Sequence, residues 1–289
     1  MKKCFKVAGH RFAIVMPEDC PAWSEMSNYE PFIVDDTDDV IFEAKMLDVM
    51  PDTSAKRLFF KGATNPEFPL YILYELNGEW MMEVIYPVTG EVLLTIICNK
   101  SFSDVSFYVS GPYKFAINNV MKLMFAFSTA RRNTLSIHAS VTMHQGKGYL
   151  FLGKSGTGKS THSQLWINNI EGCELLNDDN PALRVEDNGE VRVYGTPWSG
   201  KTSCYRNLVV PVGAIVDLHQ APKNEIRQLS IAEAYAVLYV SFSSYRFIKE
   251  ISSGQHVTTE KIVTSVPCYS LNCLPDADAA FLCHNTVTR

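Results

Sequence analysis

No stretch of this chain approaches the ~18 consecutive apolar residues of a membrane span, so a membrane-embedded protein is not expected. The basic start, Met1-Lys2-Lys3-Cys4-Phe5-Lys6, is not followed by a signal-peptide core, because His10, Arg11 and Glu18 interrupt it. The expectation is a cytoplasmic protein. Positive charge is scarce: 26 Lys and Arg stand against 31 Asp and Glu, a formal net charge of −5. That balance argues against a general nucleic-acid or anionic-membrane binder. None of the eight cysteines forms a C-x-x-C pair, so the ligand spacing of structural zinc is missing. Cys268, Cys273 and His284 lie near one another in sequence, but they read more simply as core residues in a reducing cytosol. The acidic run Asp35, Asp36, Asp38, Asp39 lacks the glycine and terminal glutamate of an EF-hand, and reads as a solvated loop. Internal repeats and low-complexity segments are also missing.

What the chain does have is room and ordinary composition. Its 289 residues, 46% apolar and 20% charged, suit a globular protein of two modest domains. Residues 1–113 read as a β-rich, antiparallel N-terminal domain. Leu70–Leu76 and Glu79–Ile85 flank Asn77-Gly78, a strong hairpin signal. Val92–Cys98 and Val105–Val109 read as two more strands. Gly111-Pro112 ends this pattern. Residues 114–134 hold a connecting helix, with Ile117, Val120, Met121, Met124 and Phe127 on one stripe.

Residues 135–289 change character. Ser136–Met143 and Gly148–Leu152 read as strands about a turn, and Gly153-Lys154-Ser155-Gly156-Thr157-Gly158-Lys159-Ser160 follows at once. This fits the phosphate-loop pattern G-x-x-x-x-G-K-[ST], and Thr161–Ile167 reads as the helix that must come next. Gly156 and Gly158 permit the positive φ that turns backbone N–H groups inward, toward phosphate oxygens. Gly153, Ser155, Gly156, Thr157, Gly158, Lys159, Ser160 and Thr161 are therefore the expected nucleotide-binding residues. Lys159 is expected at the β- and γ-phosphates, and the Ser160 hydroxyl on Mg²⁺. The implied cofactors are ATP and Mg²⁺.

A phosphate loop names a nucleotide, not a reaction. Leu175-Leu176 reads as a short strand ending in Asn177-Asp178-Asp179. Two carboxylates there can divide the work, one facing a metal and one taking a proton from an attacking hydroxyl. Adjacent strand residues face opposite ways, so both serve one site only if the chain turns, as Asn180-Pro181 permits. Further on, Ala182–Tyr194 reads as a hairpin turning at Asp187-Asn188-Gly189, and Pro211–Leu218 as a buried strand. Ser230-Ile231-Ala232-Glu233 is a capping box opening a helix to about Val240. Val266–Leu271 reads as a strand, and Asp276 caps a short last helix.

Residues 135–283 resemble the catalytic domain of the HPr kinase/phosphorylase family. The segments that carry the likeness are His138-Ala139-Ser140-Val141, the loop Ser155–Ser160, Leu175–Asp179, and Tyr194–Trp198 with Tyr205-Arg206. The resemblance implies an α/β, phosphoenolpyruvate carboxykinase-like P-loop catalytic domain with a mixed sheet. It implies that Asp178 is the metal-side acid and Asp179 the general base. It also implies that His138 orients the aspartates and that Arg206 stabilises the transferring phosphate. The first 113 residues do not resemble that family's own N-terminal domain, and its glycine-rich stretch is not found after Arg206.

Thr161–Trp166 and Gly195–Lys201 look like HPr kinase-related proteins found beside peptide-maturation systems, with Trp198, Ser199 and Lys201 shaping an acceptor pocket. The expected activity is phosphoryl transfer to a hydroxyl, serine foremost, of an unidentified protein or peptide acceptor. The β-rich region would then recognise that acceptor or build a homo-oligomer. A nucleotide-binding regulatory module and a small-molecule kinase of the same superfamily remain as alternatives.

Overall fold

The computed structural model describes residues 1–35, 38–62, 69–86, 88–200, 202–243 and 248–289. Asp36 of the acidic run and Lys201 lie outside the described residues. The chain divides into two compact units, Met1–Ser128 and Thr129–Arg289. It is α/β with mixed sheets.

The first unit holds β1 (Lys2–Val7), β2 (His10–Val15), β3 (Ile33–Val34), β4 (Val40–Met46), β5 (Arg57–Lys61), β6 (Leu70–Leu76), β7 (Glu79–Ile85), β8 (Val92–Cys98), β9 (Asp104–Val109) and the helix α1 (Tyr113–Thr129). The strands form one sheet in the order β3-β1-β2-β4-β9-β8-β7-β6-β5. β5 to β9 make an antiparallel meander. Asn77 and Gly78 take φ of 50° and 90°, the positive values that a tight hairpin turn requires. The antiparallel expectation fails at the centre, where β4 pairs parallel with both β2 and β9. Parallel neighbours need long crossovers. The stretch between β2 and β4 holds two 3-10 turns, Pro21–Glu25 and Ser27–Phe32, and β5 to β8 intervene before β9. The apolar stripe of α1 is buried, and Phe125 meets Phe12, which stacks on Phe42.

The second unit holds β10 (Thr134–Ser136), β11 (Ala139–His144), β12 (Lys147–Leu152), α2 (Lys159–Asn169), β13 (Glu174–Asp179), β14 (Ala182–Val185), β15 (Val191–Tyr194), β16 (Val209–Gln220), β17 (Glu225–Gln228), α3 (Ile231–Val240), α4 (Lys249–Ser265), β18 (Cys268–Cys273) and α5 (Ala277–Val287). Twelve-residue β16 joins two hydrogen-bonding neighbourhoods. Its first residues pair antiparallel with β15, and its later ones run parallel to β12 and β18. Side-chain alternation gives the sheet two cores. Leu150, Leu152 and Ile215 pack with Ala234 and Leu238 of α3 and Ile262 and Val263 of α4. Tyr149, Phe151 and Val216 pack with Trp166 of α2 and Ala280 and Cys283 of α5. The capping box forms on α3, and Asp276 caps α5 by accepting from the N–H of Ala279. Gly254, within α4, lies where a Cβ would stand 2.3 Å from the Ala130 carbonyl oxygen, so no larger residue fits that approach.

Candidate active site

Strand direction gathers the site. β12 and β16 are parallel; β11 is antiparallel to β12, and β13 to β11. So β13 runs with β12, and their carboxyl ends share one edge of the sheet. Ligands of open α/β sheets bind at that edge. The glycine loop leaves the end of β12, and Asp178-Asp179 closes β13.

In the loop, Gly153, Gly156 and Gly158 take φ of 142°, 80° and 109°. Gly158 is the N-cap of α2 and has no side chain to accept from the first N–H groups of the helix. Those donors and the helix dipole make a ready site for an anion. Gln220, at the end of β16, steadies the crest by donating to the carbonyls of Gly156 (3.2 Å) and Thr157 (3.3 Å). Lys159 is only 8% exposed. Its Nζ donates to the carbonyls of Gly153 at 3.0 Å and Lys154 at 3.2 Å, so the ammonium sits inside the loop it follows. Burial lowers its pKa, and the charges of Asp179 and Asp178 resist that shift. Ser155 and Thr161 are exposed on either side of the loop, and Thr157 donates its N–H to Lys154.

The two aspartates face different partners. Asp178 pairs with Ser140 across β11 and accepts from Ser160 Oγ at 2.8 Å. Asp179 lies 2.9 Å from His138 Nδ1 through Oδ1, and its Oδ2 accepts from Asn180 Nδ2. Its side chain is 30% exposed, enough to meet a second molecule. Asp179 also has φ of 138°, a left-handed-side conformation unusual for a non-glycine residue. Lys159, Ser160, Asp178, Asp179 and His138 are thus brought together.

Arg206 is not. It pairs with Glu174 at 2.6 Å, at the opposite end of β13 from Asp178. Four residues of strand separate the two positions by roughly 13 Å. Trp198 and Ser199 do not line an open acceptor pocket either. Trp198 is buried, and Ser199 Oγ turns to the carbonyls of Asp178 (3.1 Å) and Thr202 (2.5 Å).

Sequence reasoning gave no role to the side chains of Asn177 and Thr196, which bind this turn from behind, or to Gln220, which binds the glycine loop. The available signal was Asn177 directly after Leu175-Leu176, a polar side chain that must find partners once the strand is buried.

The residues present fit a magnesium nucleotide. An uncapped helix N-terminus and a buried lysine suit phosphate. The Ser160 hydroxyl and Asp178 carboxylate are hard oxygen donors, suited to a Mg²⁺ completed by phosphate oxygens and water.

No family model matches the chain, and no curated protein matches it in sequence. Among solved structures, the chain is similar to the Hpr(Ser) kinase/phosphatase from Coxiella burnetii at 17% identity. That match covers 53% of this chain and 87% of the other, with a TM-score of 0.33. A likeness of that extent decides neither activity nor family.

Proposed function

We propose that this chain is an ATP- and Mg²⁺-dependent kinase of HPr kinase-related type, transferring the γ-phosphoryl group to a hydroxyl, serine foremost, of a protein or peptide. One observation carries this reading. Two carboxylates at one strand end stand beside the glycine loop, one joined to Ser160 and the other to His138. A protein that only bound nucleotide would have no need of the second.

MgATP, when bound, supplies the transferable phosphoryl group. The loop N–H groups and Lys159 hold phosphate oxygens, with Lys159 exchanging the carbonyls of Gly153 and Lys154 for them. Ser160 and Asp178 would hold the cation. Asp179 would accept the proton of the acceptor hydroxyl as that oxygen bonds to the γ-phosphorus, while the bond from that phosphorus to the bridging oxygen breaks and ADP leaves. His138 and Asn180 keep the carboxylate oriented for this. His138 thereby serves as an orienting group.

The test is transfer from γ-labelled ATP with Mg²⁺ into a lysate of the source cell, with Asp179→Asn run beside the native chain. A labelled polypeptide that disappears with the variant supports the kinase. ATP binding with no Asp179-dependent label would replace it with the regulatory module or with a kinase of a small-molecule acceptor. Lys159→Ala should weaken MgATP binding by about tenfold to a hundredfold, the loss of one charge-assisted contact. Unchanged affinity in a calorimetric titration would remove the phosphate-loop assignment.

A further inference from the structure

Asp179 holds a costly backbone conformation, and the structure shows what imposes it. A residue with a Cβ in this φ range carries strain that persists only where its surroundings over-determine it. Both flanking peptides are gripped. Ahead of Asp179, the Asp178 carbonyl accepts from the N–H of Gly200 at 2.5 Å; Ser199 Oγ lies 3.1 Å from the same carbonyl but gives its single proton to the nearer Thr202 carbonyl. Behind it, the N–H of Asn180 donates to Asn177 Oδ1 at 3.1 Å, and the Asn180 carbonyl accepts from Thr196 Oγ1 at 2.7 Å.

The two grips are joined by two side chains of 0% exposure, Asn177 and Thr196. Asn177 Nδ2 reaches the Thr196 carbonyl (3.3 Å), Thr196 Oγ1 (3.3 Å) and the Trp198 carbonyl (3.2 Å). Thr196 Oγ1 has a single proton. The Asn180 carbonyl at 2.7 Å takes it in preference to the Trp198 carbonyl at 3.2 Å, leaving the hydroxyl oxygen to accept from the N–H of Trp198 at 3.2 Å. So the segment 196–200 and the turn 177–180 form one buried clasp. Gly200 permits the closure, since a Cβ there would stand 3.2 Å from both the Asp178 carbonyl oxygen and Asp179 Cβ.

We propose that Asn177 and Thr196 are positioning residues, which hold Asp179 in its strained conformation and so aim its carboxylate. Their value for catalysis rests on Asp179 being the base. Their hold on the backbone does not.

Position 179 can serve as its own gauge. Alanine and glycine both remove the carboxylate, and only alanine carries the penalty of positive φ. In the full chain, with native Asn177, Asp179→Gly should therefore resist opening of β13 about fivefold or more better than Asp179→Ala. Hydrogen exchange of the β13 amides reads this. In an Asn177→Ala background the turn relaxes, and the gap should close to within about twofold. Thr196→Val, which keeps shape and loses Oγ1, gives the same comparison if Asn177→Ala does not fold.

A gap absent from the native background, or undiminished in both clasp variants, overturns the proposal. In the kinase assay, Asn177→Ala should reduce Asp179-dependent transfer at least about tenfold while MgATP affinity stays within about threefold. Equal loss of both would make Asn177 a merely structural residue and overturn its positioning role. If the native chain does not bind MgATP, the kinase reading falls, and the glycine–alanine gap still decides the clasp.

Discussion

Glu83 in the first unit and Asp178 in the second are both carboxylates on strands, and both are 4% exposed. Their surroundings have opposite logic. Glu83 is closed off: Lys56 Nζ donates to one oxygen and Tyr74 Oη to the other, at 2.8 Å. The pair neutralises itself, and Glu83 and Tyr74 sit in regular strands. Asp178 instead meets a neutral hydroxyl at a helix N-terminus, beside three glycines with positive φ and an Asp179 in a strained turn. Burial alone does not tell these two settings apart. The separation comes from the partner's charge and from the backbone around it.

Substitution and acid both test that contrast. The largest effect is expected from Asp179→Asn, which should lower transfer by about a hundredfold or more while MgATP affinity changes less than about threefold. Single-turnover transfer beside calorimetric binding checks it, and loss of both would make Asp179 a metal or folding residue.

Acid should act next. Burial pushes His162, in the first turn of α2, down to about 4 from an ordinary 6.5. Its Nε2 accepts from Trp166 Nε1 at 3.2 Å, so the neutral ring is held inside. Because the folded value is depressed, the unfolded chain takes up the proton first as pH falls. Stability from this group is whole above about 6.5, and about 3 kcal/mol is lost between 6.5 and 4. Denaturant midpoints of the second unit across that range should flatten in His162→Gln. An unchanged slope would detach the effect from this ring.

Glu83→Gln should cost the first unit about 1–2 kcal/mol, moderated because Lys56 is one-third exposed and can rehydrate. MgATP affinity should stay within about twofold, and a larger change would mean that the closed pair also serves the site. Arg206→Ala should matter least, with transfer altered less than about threefold, because Arg206 is already paired with Glu174. A tenfold loss would show that Arg206 leaves that pair during the reaction.

What the sequence revealed were features whose cause is local. Asn77-Gly78 requires a tight turn, and β6 and β7 pair across it. Ser230 and Glu233 cap α3 whatever surrounds them. Lys159, Ser160 and the paired aspartates were legible because a glycine loop and a strand-end acid pair have few other reasons to occur. Contacts between distant segments left no such trace. The parallel placing of β4 between β2 and β9 depends on crossovers, not on the strands' own patterns. α4 was unreadable because Gly254 and its many Ser, Thr and Val residues disfavour a helix; its stability comes from packing of Ile251, Ile262 and Val263. The clasp through Asn177 and Thr196 joins residues 19 apart, and Arg206 was placed by analogy alone.

The buried thiols have a practical consequence. Seven of the eight cysteines are buried and Cys273 is partly so, all of them as thiols. Burial raises the pKa of Cys173, Cys204, Cys268 and Cys273, which keeps the nucleophilic thiolate scarce at neutral pH. A cysteine placed at exposed Ser155, on the crest of the glycine loop, would therefore react with a maleimide dye well ahead of the native set. The chain should accept a single fluorescent reporter at its glycine loop without first being stripped of its own sulfur.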